Sequence, residues 1–184
     1  ACDNILTRTK GAVYIAMSSS ELDTLQAAFR AAGGKWSTFI IWAKNTFTLG
    51  RADYQRQYEP ILYGWKDGAD HYWCGARDQG DVWNIKKPQK NDLHPTMKPV
   101  ELVERAIRNS SRPGNLVMDP FGGSGTTLIA AEKTGRLARL IELDPKYVDV
   151  IVRRWQDWTG QQATREADGV AFDDMAPDEM EDVE

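Results

Sequence analysis

Short apolar runs alternate along this chain with stretches in which apolar residues recur at three- and four-residue steps. AVYIA (Ala12–Ala16) is brief and β-branched, and predicts a buried strand. Ser20, with Asp23 three residues on, reads as the cap of a helix that runs through Phe29 and stops at Gly33 and Gly34. WSTFIIW (Trp36–Trp42) and EPILYGW (Glu59–Trp65) predict two more strands, while residues 66–95 mix charges and aromatics without a period and read as irregular. PVELVERAIRNSS (Pro99–Ser111) opens with proline at a first helical position and sets Leu102, Val103, Ala106 and Ile107 on one face.

The pattern then repeats. NLVMD predicts a strand, Thr126–Thr134 a helix capped by Gly135, and LARLIE a further strand. Asp144 and Pro145 start a helix with Val148, Ile151, Val152, Trp155 and Trp158 facing inward, ended by Gly160. Strands alternating with helices predict an α/β fold, a mainly parallel sheet with helices on both faces, in one domain over residues 1–165.

Composition narrows the function classes. No apolar run approaches the roughly 20 residues of a membrane span, and no signal-peptide pattern opens the chain. Cys2 and Cys74 are too few for a disulfide framework, and no Cys/His cluster suggests a metal, so a cytoplasmic protein is expected. His71 and Cys74 stay unassigned. The net charge of −4 is unevenly spread: nine acidic residues and no Lys or Arg lie in 166–184, which reads as an acidic, disordered tail. Residues 1–165 then hold 23 basic against 18 acidic residues, a balance that suits a nucleic-acid partner.

Between strand NLVMD and the next helix lies the loop DPFGGSGTT, residues 119–127. A glycine loop opening a helix ordinarily holds a phosphate. This one lacks the lysine of a P-loop, and GSGTTL puts leucine where the dinucleotide fingerprint needs its last glycine. Neither ligand accounts for Asp119 at the strand's carboxyl end. A cationic ligand does, since a nearby carboxylate attracts it. S-adenosylmethionine carries a sulfonium, an ammonium and a ribose, and Glu142, 23 residues after Asp119, has the spacing of an acid that reaches ribose hydroxyls. The bland alternative makes Asp119 a helix cap and Glu142 a surface acid.

DPFGGSGTT, then IELDPKYV, preceded by HPTMKPVELVERAI, resembles the cofactor-binding half of the β-class DNA amino-methyltransferases, which methylate N6 of adenine or N4 of cytosine. FIIWAKNTFTLGRADYQRQYEPILYGWK resembles the family's upstream region, with Tyr58 where histidine is common, and the likeness runs from about Gly11 to Gly160. It implies a Rossmann-like methyltransferase sheet and S-adenosylmethionine as cofactor. The implied cofactor contacts are His94, Thr96 and Lys98; Asp119, Phe121, Gly122, Gly123, Ser124, Gly125, Thr126 and Thr127; and Glu142 with Asp144. It also implies double-stranded DNA as partner, a restriction-modification setting, and a homodimer as in many members. Trp42, Lys44, Asn45 and Phe47 follow a predicted strand end, where α/β folds place ligands. With Arg51 they form one candidate DNA contact, Lys44 and Arg51 on phosphate and Phe47 beside a flipped base. Lys86, Lys87 and Lys90 form another, in the segment 66–95 where the family carries target recognition.

The family's catalytic signature, [DNS]-P-P-[YFW], is missing: the chain has eight prolines and no two are adjacent. The order of motifs would place it ahead of Ala12. The expectation is therefore the carboxyl-terminal portion of a longer enzyme, its sheet incomplete on the N-terminal side, with no catalytic residue assigned and little activity alone. The competing readings are a noncatalytic cofactor- or DNA-binding module and, more remotely, a dinucleotide oxidoreductase.

Overall fold

A computed structural model describes residues 1–87 and 97–175. Strand β1 (Val13–Ala16) pairs antiparallel with β3 (Arg56–Lys66), which pairs antiparallel with β2 (Gly34–Thr48); β4 (Val82–Asn84) adds parallel to β2. A second sheet holds only β5 (Leu116–Asp119) and β6 (Leu137–Leu140), parallel to each other. The mainly parallel sheet expected from the alternation is thus corrected. The two long strands β2 and β3 follow one another without a helix between, so nothing carries the chain back across the sheet and they pair as a hairpin.

Helices cover both faces of the larger sheet. On one side α1 (Cys2–Arg8) and α2 (Leu22–Ala31) bury Leu6, Leu25 and Phe29 against Val13 and Leu62. On the other, Leu102 of α3 (Val100–Ser110) joins Ile40, Trp42, Ile61, Tyr63, Trp83 and Ile85. The far side of α3 meets α4 (Thr126–Thr134), where Ile107, Ala130 and Ala131 pack with Val117 and Ala138 of the smaller sheet. The opposite face of that sheet is open: Leu116 and Leu137 are 61% and 58% exposed.

Most predicted boundaries hold for local reasons. Gly135 and Gly160 adopt left-handed conformations that close α4 and α5 (Pro145–Thr159), and the Asp144 side chain accepts the Lys146 N–H with Pro145 in the first turn. Ser18, not Ser20, makes the capping hydrogen bond ahead of α2, through a turn of 3-10 helix at Ser19–Glu21. Ile151 is buried, but Val148 and Trp158, expected to face inward, are exposed. The Lys133 ammonium lies 5.5 Å above the Trp158 ring, which gives that indole a polar neighbour in place of a core. Within the acidic stretch, the described residues hold local contacts: Thr164 bridges Ala171, and Arg165 pairs with Asp168 at 2.5 Å.

Candidate functional site

The carboxyl end of β5 delivers Asp119 to the mouth of the glycine loop. One carboxylate oxygen accepts the Phe121 N–H at 3.0 Å and the other the Thr127 hydroxyl at 2.5 Å. Asp119 has no cationic partner among the described residues. Burial pushes its carboxyl above the ordinary aspartate value, the Thr127 and Phe121 hydrogen bonds pull the other way, and the Glu142 charge raises it further. Glu142, two residues past β6, turns back on the same loop. Its Oε2 accepts the Gly123 N–H at 2.7 Å and its Oε1 accepts the N–H groups of Leu143 and Asp144.

This answers why a glycine loop carries acids. A phosphate-binding loop leaves its N–H groups open to an anion; here Glu142 already supplies that anion from within the chain. Two carboxylates flank the loop, one of them half-buried without a cation. Such a site repels phosphate and suits a positively charged ligand.

The glycines serve packing as well. A Cβ on Gly122 would meet Ile151 Cδ1 at 3.0 Å, and one on Gly125 would lie 3.1–3.3 Å from the same isoleucine. Gly125 also needs a left-handed φ of 76°. Both residues let the loop close onto α5. Ser124 and Thr126 are buried, and Arg154 of α5 fixes them, donating to the Ser124 carbonyl and hydroxyl and to Thr126 Oγ1. The Thr126 hydroxyl donates in turn to the Lys98 carbonyl at 3.2 Å. Asp144 caps α5. Phe121 is exposed and borders a cavity of about 210 Å3 with Met118, Pro120, Ile141 and residues of α1. Residues fit to hold a cationic nucleoside thus converge at one end of β5 and β6; His94 and Thr96 lie outside the described residues.

The DNA candidates separate. Trp42 is 2% exposed and donates its indole N–H to the Ile85 carbonyl at 2.7 Å, so it is a core residue and not a contact. The Asn45 side chain accepts the Lys87 N–H at 2.8 Å, tying the chain after β4 to the hairpin. Lys44 lies 4.7 Å over the Trp42 ring and pairs with Glu59 at 3.2 Å. Phe47 is 57% exposed, and Arg51 and Lys86 are exposed. Lys90 lies outside the described residues. Glu59, to which the sequence reading gave no role, pairs through its other oxygen with Lys98 at 2.6 Å. One carboxylate on β3 therefore joins the hairpin to the segment that leads into the cofactor side. Its only sequence signal was a carboxylate in a run that otherwise buries.

Among the described residues, no cluster of three His, Cys, Asp or Glu side chains could hold a metal ion, and no helix is long and apolar enough to cross a membrane. The family profile for DNA methylases matches residues 4–153. The chain is 30% identical over 163 residues to the type II methyltransferase M2.DpnII of Streptococcus pneumoniae, covering 80% of this chain and 61% of that protein. It is 27% identical over 186 residues to the DNA adenine methyltransferase YhdJ of Escherichia coli, covering 83% and 63%. The chain thus spans less than two thirds of the length of these relatives. Among solved structures, the M1.HpyAVI–SAM complex superposes with a TM-score of 0.70 at 27% identity, over 79% of this chain and 74% of that one. A family match over most of the chain, on a Rossmann-like α/β fold whose glycine loop is flanked by two acids, establishes that this chain belongs to the DNA methylase family.

Proposed function

We propose that this chain is the S-adenosylmethionine-binding portion of a site-specific DNA amino-methyltransferase acting on N6 of adenine or N4 of cytosine in duplex DNA. The observation that carries the reading is the pair Asp119 and Glu142 on one glycine loop, with Glu142 occupying the N–H that a phosphate would take. A structural relative solved with S-adenosylmethionine and a relative named as a DNA adenine methyltransferase support it. When bound, the cofactor supplies an electrophilic methyl on sulfur, and the accepting amine gives up a proton as the sulfonium becomes a thioether.

The protein's contribution is placement. Asp119, oriented by Thr127, offers negative charge to the cationic end. Glu142, held by Gly123, presents its remaining acceptor capacity to ribose hydroxyls. Arg154 and Lys98 fix the loop's far side through Ser124 and Thr126. The exposed Phe47 and Arg51 meet DNA at the hairpin tip, and Lys86 and Lys87 extend that surface. The target base must leave the duplex, at a cost of roughly a few kcal/mol. The sequence holds no paired-proline signature to grip its amine. Methyl transfer by this chain alone is therefore expected to be slight, in the cytoplasm as in vitro. Calorimetric titration tests the reading: S-adenosylmethionine should bind one-to-one, while NAD and ATP should not. NAD binding without S-adenosylmethionine binding would overturn it. Cofactor binding with no DNA binding would favour the second reading, a noncatalytic cofactor-binding module.

A further inference from the structure

Among the described residues, a buried polar group outside the cofactor loop has no hydrogen-bond partner. A cavity of about 180 Å3 lies between β1, β2 and β3, the carboxyl end of α3 and residues 73–83. Tyr14, Tyr63, Trp73 and Trp83 line it, with Asn109 and Asp81. Asn109 is 9% exposed and its Nδ2 has no hydrogen-bond partner among the described residues. A buried amide donor left unpaired is costly, so a site that keeps one open invites an acceptor. The walls are rings: Tyr14 and Tyr63 have centroids 4.9 Å apart, and Tyr63 and Trp73 6.3 Å apart. From Thr38, which also borders the cavity, β2 climbs six residues to Lys44 beside Glu59, about 20 Å at strand rise. None of the residues that line the cavity belongs to the Asp119 loop or bonds to it.

We propose that this cavity is a second binding site, for a planar nitrogen heterocycle of nucleobase size. Aromatic walls favour a flat ring. Asn109 offers a donor to a ring nitrogen or carbonyl, and the Asp81 carboxylate accepts from an exocyclic amine while disfavouring phosphate. The size selects too. Pockets for drug-sized ligands run to about 300–1,000 Å3, whereas a cavity of about 150 Å3 holds a single benzene. A purely apolar ring would leave Asn109 unpaired, so the cavity discriminates by hydrogen bonding and not by shape alone.

Ligand-observed NMR on the full chain tests this with adenine, cytosine and benzene, each with and without excess S-adenosylmethionine. At least one base is expected to bind saturably with a dissociation constant of about 1 mM or tighter, at least tenfold tighter than benzene, and without competition from the cofactor. Asn109→Leu should weaken it at least tenfold. Thr38→Phe, which fills the cavity from a half-exposed strand position, should abolish it with the circular-dichroism spectrum unchanged. No saturable base binding, benzene binding as well as the bases, displacement by the cofactor, or indifference to both substitutions would each overturn the proposal. Apart from displacement by the cofactor, none of these outcomes bears on cofactor binding at Asp119, which the same samples report separately.

Discussion

The glycine loop and the β2–β3 hairpin both present charged side chains at strand ends, yet they are held together in opposite ways. In the loop, Asp119, Gly123, Thr127, Glu142 and Asp144 bond to one another or to their immediate neighbours, all between residues 119 and 146. In the hairpin the decisive contacts come from far along the chain: Trp42 to Ile85, Asn45 to Lys87, and Glu59 to both Lys44 and Lys98. Where partners are close in sequence, residue types and spacing report the chemistry. Where they are distant, packing decides which side chains remain available, and a strand-end position alone says little.

The sharpest way to break this contrast is at Trp42. If it is core, Trp42→Ala costs about 3–5 kcal/mol of stability and strands the Ile85 carbonyl, so thermal unfolding shifts sharply. A stable variant that loses only DNA affinity would instead return Trp42 to the DNA surface. Glu59 sharpens the contrast next. Its partners are largely but not wholly shielded, so Glu59→Gln should cost about 1–2 kcal/mol in denaturant unfolding. It should also release Lys44 and Lys98, steepening the fall of log K for duplex DNA against log salt by about one unit for each lysine recruited to phosphate. An unchanged slope would make Glu59 purely structural.

The smallest stability effect belongs to the loop. The Asp119 carboxyl sits above its ordinary value in the folded chain, so the folded state holds its proton more tightly than the unfolded one. That contribution is fully present below the ordinary aspartate value and is lost as pH rises through the raised one. Asp119→Asn should therefore match the parent in acid and become the more stable of the two at neutral pH, as chemical denaturation across pH would record. A variant less stable at neutral pH would mean that the hydrogen bonds from Thr127 and Phe121 outweigh burial.

Much of the fold was readable because its punctuation is local. Gly135, Gly160 and the Asp144–Pro145 pair stop and start helices through their own backbone preferences, and the loop glycines mark a tight approach whichever neighbour makes it. The antiparallel hairpin was not readable from alternation, because β2 and β3 are long and joined directly. β4, three residues of pairing inside a segment without period, gave no signal, and α1 opens with no side-chain cap. The site divided along the same line. Asp119 and Glu142 were legible as a pair from their spacing around the loop. That Gly122 and Gly125 answer to Ile151, some thirty residues on, was not. Nor was the Glu59 bridge, whose two lysines lie 15 residues before it and 39 after.

The central claim is that Asp119 and Glu142 make this loop a receptor for positive charge. Calorimetric affinities for three ligands test it: S-adenosylmethionine, with sulfonium and ammonium; S-adenosylhomocysteine, with the ammonium alone; and methylthioadenosine, with neither. Affinity should fall in that order for the parent chain, and Asp119→Asn should flatten the series by weakening the most cationic ligand most. Three equal affinities, or a substitution that weakens all three alike, would contradict the account.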